Sequence, residues 1–343
     1  MTDASSPKVL RTPATIRDVA RAAGVSISTV SKVLNNTGAI AAATRERVAE
    51  VARSLQFRPN ALAQSLHTGL SGSIGLISND RFGRFTMPIM EGLEEVLAPL
   101  GIGVFMSSAT DDPAREAAHI EQMMAKQIDG LVITARRSDH RPAARLGGLG
   151  VPVIYVFAHS DDEDALTLLP DDKGGARLAV EHLVAMGRKR IAHVTGPQHF
   201  EAVQLRRSGY LAGLAAAGLP PLPCLHGKWS ESWGRDAVAA LLADPGPRPD
   251  ALFCGNDQIA RGAAEALREA GLRVPQDVAL VGFDNWAVMA EAARPALTSV
   301  DMGMVGLGQE AGRQLIAMID GEPRRGLIRL PCHLVVRAST VGS

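Results

Sequence analysis

Apolar positions recur with two different periods along this chain, and the change of period divides it. In TIRDVARAAGVSISTVSKVLN (15–35), Ile16, Val19, Ala20 and Ala23 form one stripe at helical spacing. Gly24 interrupts it, where a positive φ is cheap. Val30, Val33 and Leu34 then resume it, with Val25 placed to plug the space between the two helices. Thr15 and Asp18 stand three apart, as a capping box requires, and Ser26 can cap the second helix. A third helix is predicted over TRERVAEVARSLQF (44–57), with Val48, Val51, Ala52 and Leu55 closing a small core.

Beyond residue 72 the pattern changes to short apolar runs alternating with amphipathic segments. SIGLIS (73–78), IGVFMSS (102–108), DGLVITA (129–135) and VPVIYVF (151–157) read as strands. PIMEGLEEVLAPLG (88–101) and REAAHIEQMMAKQ (115–127) read as helices between them. The pattern then restarts. Strands are predicted at 190–196, around Leu225, at 251–257 and at 278–284, and helices at 175–187, 205–218, 233–244 and 263–271. Alternation at this spacing predicts βαβ units and parallel sheets covered on both faces. The chain is thus expected to hold an all-α helix-turn-helix domain and an α/β core of two doubly wound lobes in series. The expected boundaries are a disordered tail at 1–14, the helical domain at 15–58, a short helix and linker at 59–72 and the core at 73–343.

Charge sharpens this division. The 343 residues carry no net charge. Yet the stretch up to Leu66 holds nine basic and four acidic side chains, against 27 and 32 in the remainder. A basic head on an acidic body points to a polyanionic partner. The outer face of the second helix carries Ile27, Ser28, Ser31, Lys32 and Asn35. Short polar side chains near the start of an exposed helix suit a major groove. No run of 18 apolar residues predicts a membrane span, and no apolar segment near Met1 predicts a signal peptide. Cys224, Cys254 and Cys332 are widely spaced and are expected to be buried thiols in a reducing cytoplasm.

The motif A-x-x-x-G-V-S-x-x-T-V-S, carried by Ala20, Gly24, Val25, Ser26, Thr29, Val30 and Ser31, is followed by TRERV and FRPNALAQSL. Together they resemble the lactose/galactose repressor (LacI/GalR) family, and the resemblance runs from Thr15 to about Arg337. It implies a homodimeric repressor on double-stranded operator DNA, with a core of periplasmic-binding-protein-like type. It places Ile27, Ser28 and Lys32 on base edges, and Thr15, Ser31, Asn35, Thr44, Phe57 and Asn60 at phosphates. Thr29 and Ala63 join the DNA-contacting set, and Leu66 aligns with the leucine that enters the minor groove. In the family the segment around Asn60, Ala63 and Leu66 is the hinge helix, expected to form on DNA. Two departures stand out. Lys32 replaces the common Arg, which removes bidentate guanine reading. Ala41 stands where a Ser or Thr often caps the third helix.

Ligands in open α/β sheets bind beyond the carboxyl ends of the strands. Those ends carry Asp80, Arg81, Phe82, Arg84 and Phe85, then Asn256 and Asp257, then Asp284, Asn285 and Trp286, with Arg206 on the helix after 190–196. Carboxylates, an amide, a guanidinium and aromatic faces suit a polyhydroxylated ligand. The resemblance assigns Arg206, Asn256 and Asp284 to sugar binding and brings in Trp229. The full expected effector set is Phe85, Arg206, Trp229, Asn256, Asp257, Asp284 and Trp286. Met302 and Met304 stand where some relatives place a polar or aromatic contact. The acidic loop HSDDEDA (159–165) lacks metal-ligand spacing and reads as solvated.

Other functions have weaker support. GLGQEAG (306–312) has the wrong spacing for a dinucleotide loop and opens a helix with no preceding βαβ strand. No phosphate loop, nucleophile elbow or paired-histidine metal motif is present, so neither enzyme chemistry nor a cofactor or metal is expected. A periplasmic sugar carrier fits the body but not the basic head. Within the family, a nucleobase or a protein corepressor is the alternative to a sugar.

Overall fold

The computed structural model describes residues 14–34, 37–57, 69–109, 112–138, 148–160, 162 and 164–342. The chain forms two compact units, residues 1–71 and 72–343.

The first unit contains α1 (Ile16–Ala23), α2 (Ile27–Leu34) and α3 (Ala42–Ser54). Thr15 starts α1: its backbone N–H donates to Asp18 Oδ2 at 2.9 Å and its hydroxyl to the same oxygen at 2.7 Å. Those bonds hold the Asp18 carboxyl below its ordinary pKa. Gly24 ends the helix at φ +63°. Ser26 Oγ accepts from the Thr29 N–H at 3.1 Å, which caps α2. Val19, Ala20, Ala23, Val30, Val33, Val48 and Ala52 are buried together, with Ile16, Val25, Leu34, Val51 and Phe57 packed around them. Leu55 departs from expectation. The helix stops at Ser54, so Leu55 turns off the apolar stripe and is 37% exposed. Ala41 precedes α3 without a side-chain cap.

The second unit has two six-stranded sheets. The first has the order β11-β5-β4-β3-β1-β2, and every pairing in it is parallel. It is formed by β1 (Ser73–Ser78), β2 (Gly103–Ser108), β3 (Gly130–Thr134), β4 (Val153–Val156), β5 (Leu166–Pro170) and β11 (Gly326–Leu330). The helices α4 (Thr86–Leu97), α5 (Pro113–Ala125) and α11 (Met304–Ile319) cover it. The second sheet has the order β12-β10-β9-β8-β6-β7. Its strands are β6 (Ile191–Thr195), β7 (Cys224–His226), β8 (Ala251–Cys254), β9 (Ala279–Phe283), β10 (Thr298–Asp301) and β12 (His333–Val335). β12 alone runs antiparallel, against β10. Around it lie α6 (Asp172–Ala185), α7 (Glu201–Ala216), α8 (Glu231–Ala243), α9 (Asp257–Glu269), α10 (Ala287–Ala290) and α12 (Ala338–Val341).

Most strands are buried on both faces, which explains their continuous apolar runs. The lobes are not in series, however. The chain passes from the first lobe to the second at Asp171, returns after Asp301, and leaves again at Pro331–Cys332. The crossings are tied together: the Asp171 N–H donates to Leu330 O at 2.8 Å, and Cys332 Sγ lies 3.4 Å from Asp171 O. The returning α11 packs closely on α4. A Cβ on Gly92 would lie 2.0 Å from Val305 O, and one on Gly308 would lie 2.1 Å from Ile89 O. Only glycine permits that approach. Cys254 and Cys332 are buried, while Cys224 is half-buried and its thiol is pushed up to about 11 by burial.

Candidate functional site

The carboxyl ends of both sheets face a cleft of about 250 Å3. The first lobe lines it with Arg84, Phe85, Arg136, Arg137, Ser138 and Phe157, and the second with Phe200, Ala202, Arg206, Trp229, Asn256, Gln258 and Asp284.

Arg206 projects from α7 and is 5% exposed. Its Nε donates to Asp172 Oδ1 at 2.8 Å, and Nη2 lies 2.7 Å from the same oxygen. Nη1 donates to Gly255 O at 2.5 Å. The guanidinium lies 3.7 Å from the Phe283 ring centroid and 5.8 Å from that of Trp229. Nη2 is 3.9 Å from Asp284 Oδ1 and 3.6 Å from Met302 Sδ. The arginine is thus fixed by its own lobe, with one edge toward Asp284.

Asp284 follows β9 at φ +97° and Asn285 at +50°, backbone conformations that L-residues rarely adopt. Such strain is retained where the surroundings fix the residue, and it turns Asp284 into the cleft. Its Oδ2 pairs with Arg84 Nη2 from the opposite lobe. Burial raises the Asp284 pKa, and Arg84 and Arg206 oppose that rise. Burial likewise raises Asp172, with Arg206 opposing.

Aromatic rings make the apolar walls. Phe85 and Phe157 are 4.7 Å apart between centroids, and Phe200 and Trp229 stack at 6.5 Å. Trp229 lies against Gly196, where a Cβ would be 2.3 Å from its ring. Asn256 caps α9 by accepting from the Ile259 N–H at 2.9 Å, and its Nδ2 lies 3.4 Å from Gln258 Oε1.

Of the seven expected effector residues, Phe85, Arg206, Trp229, Asn256 and Asp284 line this cleft. Trp286 stands behind it, 4.3 Å from the Arg84 guanidinium. Asp257 is elsewhere. It follows the cap residue, so its side chain turns into the second lobe, where it is wholly buried. It accepts from Ser299 Oγ at 2.5 Å and from the Trp286 N–H at 2.7 Å. Burial and the nearby Asp284 push it up to about 7. Asp80 also serves the fold: its Oδ2 accepts from the Phe85 and Thr86 N–H groups at the start of α4. Arg81 and Phe82 are exposed. Met302 and Met304 are buried in the core. Arg137, Ser138, Phe157, Phe200 and Gln258 enter the site without having been singled out in sequence. Their common signal is a place just beyond a strand or at the next helix start.

In the helical unit, Ile27, Ser28 and Lys32 are exposed on α2. Thr29 Oγ1 is 2.9 Å from Ser26 Oγ, within the cap. Ser31 and Thr44 are half-buried, Thr15 is exposed, and Phe57 packs against the small core. Asn35, Asn60, Ala63 and Leu66 lie outside the described residues, as do Asp161 and Glu163 of the acidic loop.

A helix-turn-helix unit followed by a two-lobed core with a polar cleft defines a ligand-responsive DNA-binding regulator. Residues 15–60 match the model of bacterial regulatory proteins of the lacI family, and residues 180–340 match a periplasmic binding protein-like domain. The HTH-type transcriptional regulator DegA of Bacillus subtilis is 32% identical over 95% of this chain and 98% of its own length. The ribose operon repressor of Escherichia coli is 33% identical over 89% and 93%. The lac repressor dimer bound to operator and an anti-inducer superposes with a TM-score of 0.76 at 29% identity, covering 97% of this chain and all of that one. The chain belongs to the LacI family, and it is a transcriptional regulator, not an enzyme.

Proposed function

We propose that this regulator represses transcription as a cytoplasmic homodimer on operator DNA and that a small sugar in the interlobe cleft controls its operator affinity. The observation that carries this reading is Asp284, held at the cleft between Arg206 of its own lobe and Arg84 of the other. A ligand with paired hydroxyls meets a carboxylate, a guanidinium and the Asn256 amide there, with aromatic faces for its C–H surfaces. Because Asp284 belongs to one wall and Arg84 to the other, a bound ligand changes the interactions joining the lobes. A change of lobe angle then biases DNA affinity through residues 59–72.

On DNA, Ile27, Ser28 and Lys32 read base edges. Thr15, Ser31, Asn35, Thr44, Phe57 and Asn60 support backbone contacts, Thr29 belongs to the same DNA-contacting set, Ala63 leaves room for close approach, and Leu66 enters the minor groove. Exposed Met87, Leu100, Phe105 and Met106 support pairing of two copies through the first lobe, where β2 is an edge strand. No helix among the described residues is long and apolar enough to cross a membrane.

The test uses full-length protein and a DNA sequence it selects from a random pool. Sugars, sugar acids and purines are screened by thermal shift and then for release of that DNA. A sugar-type ligand is expected to do both. A purine that does so while every sugar-type compound fails would overturn the carbohydrate reading.

A further inference from the structure

The two cleft arginines differ in what balances their charge. Arg206 has Asp172 as a dedicated partner, contacted twice within its own lobe. Arg84 has only Asp284 among the described residues, and Asp284 is shared with Arg206. The Arg84 side chain is 14% exposed and lies 4.9 Å from the Phe85 centroid and 4.3 Å from that of Trp286. Its Nη1 reaches Gln258 Oε1 at 3.4 Å. Its buried Nε has no hydrogen-bond partner among the described residues.

A ligand whose hydroxyls engage Asp284 competes with Arg84 for Oδ2. A neutral ligand that wins this competition leaves a largely buried guanidinium without a counter-charge. Arginine cannot relieve that by losing a proton, and an unpaired buried charge is costly. An acid group on the same ligand removes the cost. It replaces Asp284 as the counter-ion and gives the unused Nε an acceptor. The guanidinium fork fits two oxygens of a carboxylate or phosphate. Arg136 and Arg137, each with contacts of its own, also line the cleft and add positive potential.

We propose that the effector is a hydroxylated acid, with its hydroxyls on Asp284 and its carboxylate or phosphate on Arg84. This rests on reading the cleft as the effector site. Arg84 then determines specificity by charge, while Arg206 and Asp284 recognise hydroxyls.

Calorimetry on the full-length protein with matched ligand sets tests it: D-glucose against D-gluconate, D-glucuronate and glucose 6-phosphate, and D-ribose against D-ribonate and ribose 5-phosphate. At least one acid is expected to bind tenfold or more tightly than its neutral parent, and the carboxylate and phosphate arms identify the acid group. Arg84→Gln is expected to lose at least tenfold in affinity for that acid, with no loss for the neutral sugar. Arg84→Lys, which keeps the charge but not the fork, should retain part of the preference. A cooperative thermal melt shows that each variant is folded. The proposal is overturned if no acid outbinds its parent, or if the acid preference survives Arg84→Gln in a folded protein. Binding that persists unchanged in Arg206→Ala would instead remove the cleft as the effector site, a separate failure.

Discussion

On the second-lobe wall of the cleft, Arg206 finds its partners at home: Asp172, Gly255 O and the Phe283 ring all belong to that lobe. On the first-lobe wall, Arg84 finds its hydrogen-bond partners across the gap, in Asp284 and Gln258. The difference separates two tasks. A group satisfied within its own lobe keeps its position whatever the lobe angle, so it can present a fixed edge to a ligand. A group satisfied only across the cleft couples ligand binding to that angle.

The largest expected effect tests the fixed wall. Arg206→Ala leaves Asp172 buried without its counter-ion, and breaking a buried pair in this way costs about 3–5 kcal/mol. Urea unfolding of the core transition should report that loss, and DNA release by effector should disappear with it. Arg84→Gln should cost less, about 2 kcal/mol, because Asp284 keeps Arg206 as a neighbour. Equal losses in the two variants would erase the distinction between the walls.

The smallest effect is a pH slope. Asp257, Asp172 and Asp284 are all raised above the ordinary carboxylate range, each chiefly by burial, and Asp257 reaches about 7. A carboxyl raised on folding makes the native state bind more protons than the unfolded chain. For Asp257, core stability should therefore fall as pH rises from about 4 to about 7, by at most about 1.4 kcal/mol per pH unit, and Asp172 and Asp284 act in the same direction. Asp18 in the helical unit is lowered, so its contribution has the opposite sign and is lost on acidification. Urea midpoints between pH 4 and 8 for the parent and Asp257→Asn measure the difference. An unchanged slope in the variant would exclude Asp257 as a source.

The sequence revealed most of the elements because their signals are local. Thr15, Asp18, Gly24 and Ser26 set helix ends through neighbours three residues away. The strand runs are continuous because both sheet faces are covered. The misses are long-range. LTLLP (166–170) is a five-residue apolar run behind an acidic loop, and β11 is an edge strand carrying Arg329. Neither announces that it belongs to the first sheet. In the site, Asp284 was legible just past a strand end and Arg206 on the helix that follows a strand. Nothing local separates Asn256, which faces the cleft, from Asp257, which faces the core. Arg84 stands in a charged loop, and only the folded chain shows that its partner lies 200 residues away.

The three crossings between the lobes have a consequence for how the molecule is made. The helical unit encloses its own small core by residue 57. The first lobe cannot be completed so early, because α11 and β11 reach it only at residues 304–330, after most of the second lobe has been translated. Without those elements its parallel sheet lacks the strand at one edge and α4 lacks its packed partner α11. Cutting the gene after residue 171 would yield neither lobe whole, because α11 and β11 of the first lobe lie beyond the cut.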